Sequence, residues 1–259
     1  MLNQNVKQTF GEHLDELRDA LIKTSVLVVA TAILSFFLKD LLFGIVLAPK
    51  YDDFVTYQIF DQINILIGSE IKGFNIELIN TSLAEQFIIH LRVAFYSGIL
   101  LSSPYILYRL ILFISPALYP EEKKYTNSVV LSAYVMFILG SLISYFLIFP
   151  LTFRFLGTYQ VSSDVGNLIS LDSYISTFFS MSLIMGVMFE LPIVCWLLTK
   201  LNILTADAMR HYRKHAIVCI LTISAIITPT SDIFTLSLVG FPVWLLYEIS
   251  VFVVSRVKG

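Results

Sequence analysis

Residues Tyr174–Leu198 read YISTFFSMSLIMGVMFELPIVCWLL, 25 residues carrying one formal charge, that of Glu190. About 20 apolar residues suffice to cross the hydrocarbon core of a bilayer, so this stretch reads as a transmembrane helix. A carboxylate at such depth costs on the order of 2.5–3.5 kcal/mol on insertion scales, and it therefore faces protein or a watery cavity. Two residues on, Pro192 has no N–H to give the helix, which predicts a bend beside the acid. A buried acid next to a kink, with no basic partner on its own helix, is a functional-site candidate.

Working outward, five further apolar runs stand at Ala20–Phe43, Val93–Phe113, Ser128–Phe149, Ala216–Thr228 and Phe234–Val254. The expected fold class is all-α, a polytopic membrane protein of six transmembrane helices forming one domain over 1–259. The fifth run, with 13 residues, is shorter than the bilayer core is thick, so the fifth and sixth helices are expected to be short or closely paired. Between them Pro229, Thr230, Ser231 and Asp232 predict a tight turn, with Asp232 placed to cap the last helix. The composition agrees, with 57% hydrophobic and 14% charged residues, which excludes an ordinary soluble domain. A net charge of -2 gives no reason to expect nucleic acid. Cys195 and Cys219 read as small core residues, and the four histidines are scattered without metal-ligand spacing. Neither HExxH, GxSxG nor a GxxxxGK phosphate loop occurs, so no enzyme activity and no cofactor is expected. An ion- or proton-coupled secondary transporter would also use an acid such as Glu190. No internal repeat of the kind common in such transporters is visible, however.

An even number of crossings places both termini on one side. The terminal segments and the two loops on that side hold 12 of the 17 Lys and Arg residues, against five (Lys39, Lys50, Lys72, Arg92 and Arg154) opposite. The positive-inside rule makes the richer side cytoplasmic. Residues 1–19 are polar and acidic rather than a cleavable signal peptide. Within the first run, Lys23, Lys39 and Asp40 restrict the dry part to Thr24–Leu38. The first outer loop, 44–84, carries Phe54, Ile59, Ile63, Leu66 and Ile67 at spacings that predict an interfacial helix lying as a lid over the outer face.

On the cytoplasmic side, Val6, Phe10, Leu14, Leu17 and Leu21 recur at helical spacing, with Glu12, Asp15, Glu16 and Asp19 on another face. A solvated acidic face is one reading, and a landing site for a basic ligand is the other. The next cytoplasmic loop, FISPALYPEEKK at 113–124, brackets an apolar stretch with two prolines. Glu121 and Glu122 there favour the start of the following helix. Carboxylates converging from the two segments would suit a guanidinium, whose planar fork binds them bidentately.

These segments carry a resemblance. FGEHLDELR at 10–18, the 113–124 loop, YFLIFPL at 145–151, FELP at 189–192 and ITPTSD at 227–232 are similar, in that order, to the TatC family. That family is the multi-spanning core of the twin-arginine (Sec-independent) protein translocase. The resemblance implies a receptor for the twin-arginine signal peptides of folded cargo and a translocase driven by the proton-motive force. It implies TatA-type and TatB-type single-span partners, further copies of the chain, surrounding membrane lipid and a bacterial inner membrane. By matched position, Glu16 and Glu122 contact the arginines, while Arg18 and Phe113 shape that surface. Pro49 matches an important outer-loop proline, Glu190 the intramembrane acid, and Asp232 the acid before the last helix. Two positions depart from many relatives. Asp19 and Ala20 stand where a basic residue often follows the ELR motif, and apolar Leu236 stands near where a glutamine often follows the ITP turn.

Overall fold

The computed structural model describes residues 10–67, 76–114, 126–160, 162, 167–228 and 232–257. The chain forms six transmembrane segments connected by short helices and one two-residue strand pair. The first crossing is α1 (Phe10–Phe37), which merges the amphipathic cytoplasmic turns and the span into one helix. It stops at Leu38, so Lys39 and Asp40 open a separate helix, α2 (Lys39–Leu47), at the outer surface. A short 3₁₀ turn (Ala48–Lys50) and α3 (Val55–Ile67) follow, the latter being the helix expected in the outer loop.

The second crossing is α4 (Glu85–Ile114), with Pro104 inside it. Pro104 has no N–H for the Leu100 carbonyl, and the Ser103 hydroxyl donates to that carbonyl at 2.7 Å instead. The third crossing runs through α5 (Thr126–Ile143), a π-helical turn (Ser144–Ile148) and α6 (Phe149–Thr158). The fourth is α7 (Leu171–Met188) and α8 (Leu191–Lys200). After the short α9 (Ala206–His211), α10 (Arg213–Ile227) and α11 (Ile233–Val257) complete the bundle. Leu78 and Ile79 (β1) pair in parallel with Ile169 and Ser170 (β2), joining the two outer loops.

Among the described residues, five helical segments are long and apolar enough to span by themselves: Leu14–Phe37, Glu85–Phe113, Thr126–Thr158, Leu171–Lys200 and Ile233–Arg256. The fifth crossing, α10, has 15 residues, about 22 Å at 1.5 Å per residue. That is short of a hydrocarbon core of about 30 Å. The sixth, α11, at 25 residues, is not short. It pairs with α10, and the Asp232 carboxylate accepts from the Thr235 backbone N–H at 2.8 Å, capping it as the sequence leads one to expect.

Two antiparallel seams set the register. Along α1 and α4, the Thr31 hydroxyl meets the Gly98 carbonyl at 3.0 Å and the Ser102 hydroxyl at 2.8 Å. A Cβ on Gly98 would lie 2.8 Å from the Ala32 backbone, so only glycine lets the helices approach this closely. Along α5–α6 and α7, Ser141 faces Ser182, Tyr145 faces Phe178, and Phe149 faces Tyr174. The buried core runs along this second seam through Phe149, Tyr174, Ile175, Phe178, Met181 and Met185.

Candidate functional site

At the cytoplasmic end of the first seam, Asp19 accepts from Arg109 of α4 at 3.0 Å and pairs with Lys23 at 2.8 Å. The acid that stands near a usually basic position is thus held between two cations. One turn further along both helices, the same register brings Phe113 level with Asp15 and Glu16. Arg18 pairs with Asp15 at 3.2 Å and remains exposed. Glu16 differs from Asp15 and Asp19, which are both paired. It is partly buried, and among the described residues its Oε2 has no hydrogen-bond partner. A buried carboxylate oxygen without a donor is a waiting acceptor. Glu122 lies outside the described residues, as does Glu121, so the expected convergence with Glu16 belongs to the proposal below.

The second acid sits on the α5–α7 seam. Continued past Gly186, which lies against Phe137, the register brings Glu190 opposite Ala133. Both line one cavity of about 370 Å³, walled by α4 (Ile106, Leu110), α5 (Ala133, Phe137) and α7–α8 (Val187, Val194). Among the described residues Glu190 is the only ionisable one in that lining, and its Oε1 is buried without a partner. The bend expected from Pro192 is a two-residue break. Pro192 cannot serve the Met188 carbonyl, and the Glu190 N–H folds back to Val187 at 3.1 Å while its carbonyl starts α8. The break turns the Glu190 side chain off the helix line into the cavity. Gly140 lets α5 approach the end of α7, since a Cβ there would stand 2.5 Å from the Met185 carbonyl and 2.8 Å from the Phe189 ring.

The outer face is a clamp that sequence reading left unassembled. Pro49 is buried, and its carbonyl and that of Pro150 share the Tyr57 hydroxyl at 2.9 and 3.0 Å. Thr56 donates to the Phe146 carbonyl, which Pro150 cannot serve. Asp61 pairs with Arg154 at 3.3 Å. Together these bind α3 across the third crossing. Nearby, the Glu85 carboxylate accepts from the backbone of Thr81 (2.7 Å), Ser82 (2.9 Å) and Asp172 (3.2 Å), joining the starts of α4 and α7. Arg92 closes the same joint on Asp172 at 2.6 Å. Tyr57 and Glu85 were missed because each joins a near neighbour to a partner some 90 positions away, Pro150 and Asp172 respectively, although S-x-x-E at 82–85 is a capping-box signature that points to Glu85. Glu248 is no lone acid either, being paired with Arg213 of α10 at 2.7 Å.

The family model for "Sec-independent protein translocase protein (TatC)" matches residues 12–242. The chain belongs to the TatC family. It is 34% identical to the TatC protein of Blattabacterium sp. subsp. Periplaneta americana, over 98% of this chain and 97% of that one. Against the TatC protein of Desulforapulum autotrophicum it is 31% identical, over 100% of this chain and 88% of that one. A crystal structure of the twin arginine translocase receptor TatC superposes with a TM-score of 0.79 at 32% identity, covering 96% of this chain and 100% of that one. As a TatC protein the chain is a multi-pass membrane component of the Sec-independent translocase, acting in a complex with other Tat subunits. The transmembrane fold and the transport role expected from the sequence both hold.

Proposed function

We propose that this TatC protein is the receptor for twin-arginine signal peptides and the core on which the translocase assembles. The observation that carries the reading is the bare Oε2 of Glu16, on a helix tied to α4 by the Asp19–Arg109 pair. A signal peptide brings two adjacent guanidinium groups, and Glu16 with Glu122 supplies the two carboxylates that forked donors need. Arg18 and Phe113 border the same surface, the first as a like charge that positions the incoming arginines and the second as an apolar wall.

The apolar part of the peptide then enters the membrane beside the Glu190 cavity. Glu190 is the polar contact for a partner's single transmembrane helix, of TatA or TatB type, whose donor satisfies the unpaired carboxyl oxygen. Pro49 and Asp232 act at the outer face, one through the Tyr57 clamp and the other by capping α11. Transport draws on the proton-motive force across a bacterial inner membrane, and several copies of the chain work in one complex.

Glu16→Lys combined with Glu122→Lys is expected to abolish photocrosslinking of a twin-arginine signal peptide while the protein inserts and keeps its helical content. Crosslinking at the wild-type level in a correctly inserted double variant would overturn the assignment.

A further inference from the structure

At the cytoplasmic end of the α1–α4 seam, an arginine lies beside an acid that it does not bind. Along α1, Glu16, Ala20, Thr24, Leu27, Thr31 and Ser35 recur at helical spacing, each buried or half-buried. Thr31 of that stripe meets the Gly98 carbonyl of α4 at 3.0 Å, so Glu16 heads the face turned to α4. Arg109 of α4 arrives at the same end of the seam with its side chain only 16% exposed. A guanidinium so far withdrawn from water calls for a carboxylate. Among the described residues the Oε2 of Glu16 is unpaired, and so is the Nε of Arg109. No bond joins the two. Arg109 instead donates through Nη2 to Asp19 at 3.0 Å, onto the same Oδ2 that holds Lys23 at 2.8 Å.

The guanidinium of Arg109 is the same group that a twin-arginine peptide presents, so a carboxylate that suits one suits the other. Residues three apart on a helix have Cβ atoms about 5–6 Å from one another, which puts Glu16 within the swing of an arginine now held at Asp19. A guanidinium fixed on α4 also acts at a far higher effective concentration than a peptide in solution. Without the Asp19 carboxylate, Arg109 would fill Glu16 first. We propose, resting on the receptor reading of Glu16, that Asp19 is a positioning residue of the peptide site. It binds Arg109 and Lys23 and thereby leaves the Glu16 carboxylate open to an arginine of the incoming signal peptide. The Asp19–Arg109 pair then does more than tie α1 to α4, since it also restrains a competitor built into the chain.

Fluorescence anisotropy of a labelled twin-arginine signal peptide, titrated with the full-length protein in nanodiscs, tests this, with a thermal melt of each variant to confirm folding. Asp19→Asn is expected to weaken binding roughly tenfold, the worth of one hydrogen bond to a charged group, whereas Asp19→Glu keeps the carboxylate and should keep the affinity. Adding Arg109→Gln to Asp19→Asn removes the competitor and should restore binding, a rescue that a merely structural role for Asp19 would not produce. Arg109→Met retains the apolar stem and replaces the glutamine if that variant fails to fold. Wild-type affinity in Asp19→Asn, or no recovery in a folded double variant, overturns the proposal. Glu16→Gln separates the two levels. Binding lost there but intact in Asp19→Asn sinks the positioning role alone, while binding undiminished in Glu16→Gln sinks the receptor reading and this inference with it.

Discussion

At the residue scale, Glu190 is the position where function and stability pull in opposite directions. Its unpaired carboxyl oxygen lies in an otherwise apolar cavity, so in the isolated chain it contributes cost rather than cohesion. Glu190→Leu is therefore expected to raise the stability of the purified protein by about 1–3 kcal/mol, the desolvation penalty of an unsatisfied buried group. A thermal melt in detergent measures this, with a higher midpoint expected. The same variant should lose crosslinks between this cavity and a partner's transmembrane helix. A midpoint that falls would mean that the carboxyl already has a partner within the chain. Glu16 follows the same logic at the cytoplasmic mouth. Of the two, Glu190 was legible from sequence, because one charge and one proline in 25 apolar residues stand out. The unpaired oxygen of Glu16 was not, because it depends on the α1–α4 register giving Arg109 to Asp19 and not to Glu16.

At the element scale, hydrophobic runs located all six crossings, and periodicity located α3. Both signals are local, and a bilayer rewards them residue by residue. The π-helical turn at Ser144–Ile148 and the break at Leu38 have no such signal, since each answers to packing from distant segments. His90 of α4 shows the point, stacking on Phe36 with centroids 4.1 Å apart and bonding the Phe36 carbonyl at 3.0 Å where α1 ends. The outer clamp is likewise made of contacts far apart in sequence, and α3 is held by few of them. Tyr57→Phe removes the hydroxyl shared by Pro49 and Pro150 and leaves the Pro49 carbonyl short of that donor, at about 1–3 kcal/mol. Hydrogen exchange of α3 amides should accelerate roughly tenfold, with the α1–α4 seam around Thr31 unchanged. Equal exchange in α3 would show that Asp61–Arg154 and the Phe54 contacts suffice alone, and Pro49 would then need another explanation.

At the scale of the whole molecule, the crossings do not have equal length. Four of them are built from helical segments of 24 to 33 residues, α11 closes the bundle with 25, and α10 has only 15. A helix of about 22 Å cannot match a core of about 30 Å, so the bilayer thins beside it or its ends rest against neighbours. The pairing with α11 covers one side, while Ile223, Ile226 and Val218 stay exposed on the other. Mismatch costs fractions of a kcal/mol per ångström and acts only where lipid meets the short helix. Stability should therefore depend on membrane thickness in a way that localises to α10. In phosphatidylcholine bilayers of increasing acyl length, the melting midpoint is expected to decline as the core thickens beyond the length of about 22 Å that α10 spans. Extending α10 by one apolar turn, four leucines after Ile223, should shift that decline toward thicker membranes. A midpoint indifferent to thickness, or a decline unmoved by the extra turn, would mean that α10 is sheltered by protein on every side and that lipid never reaches it.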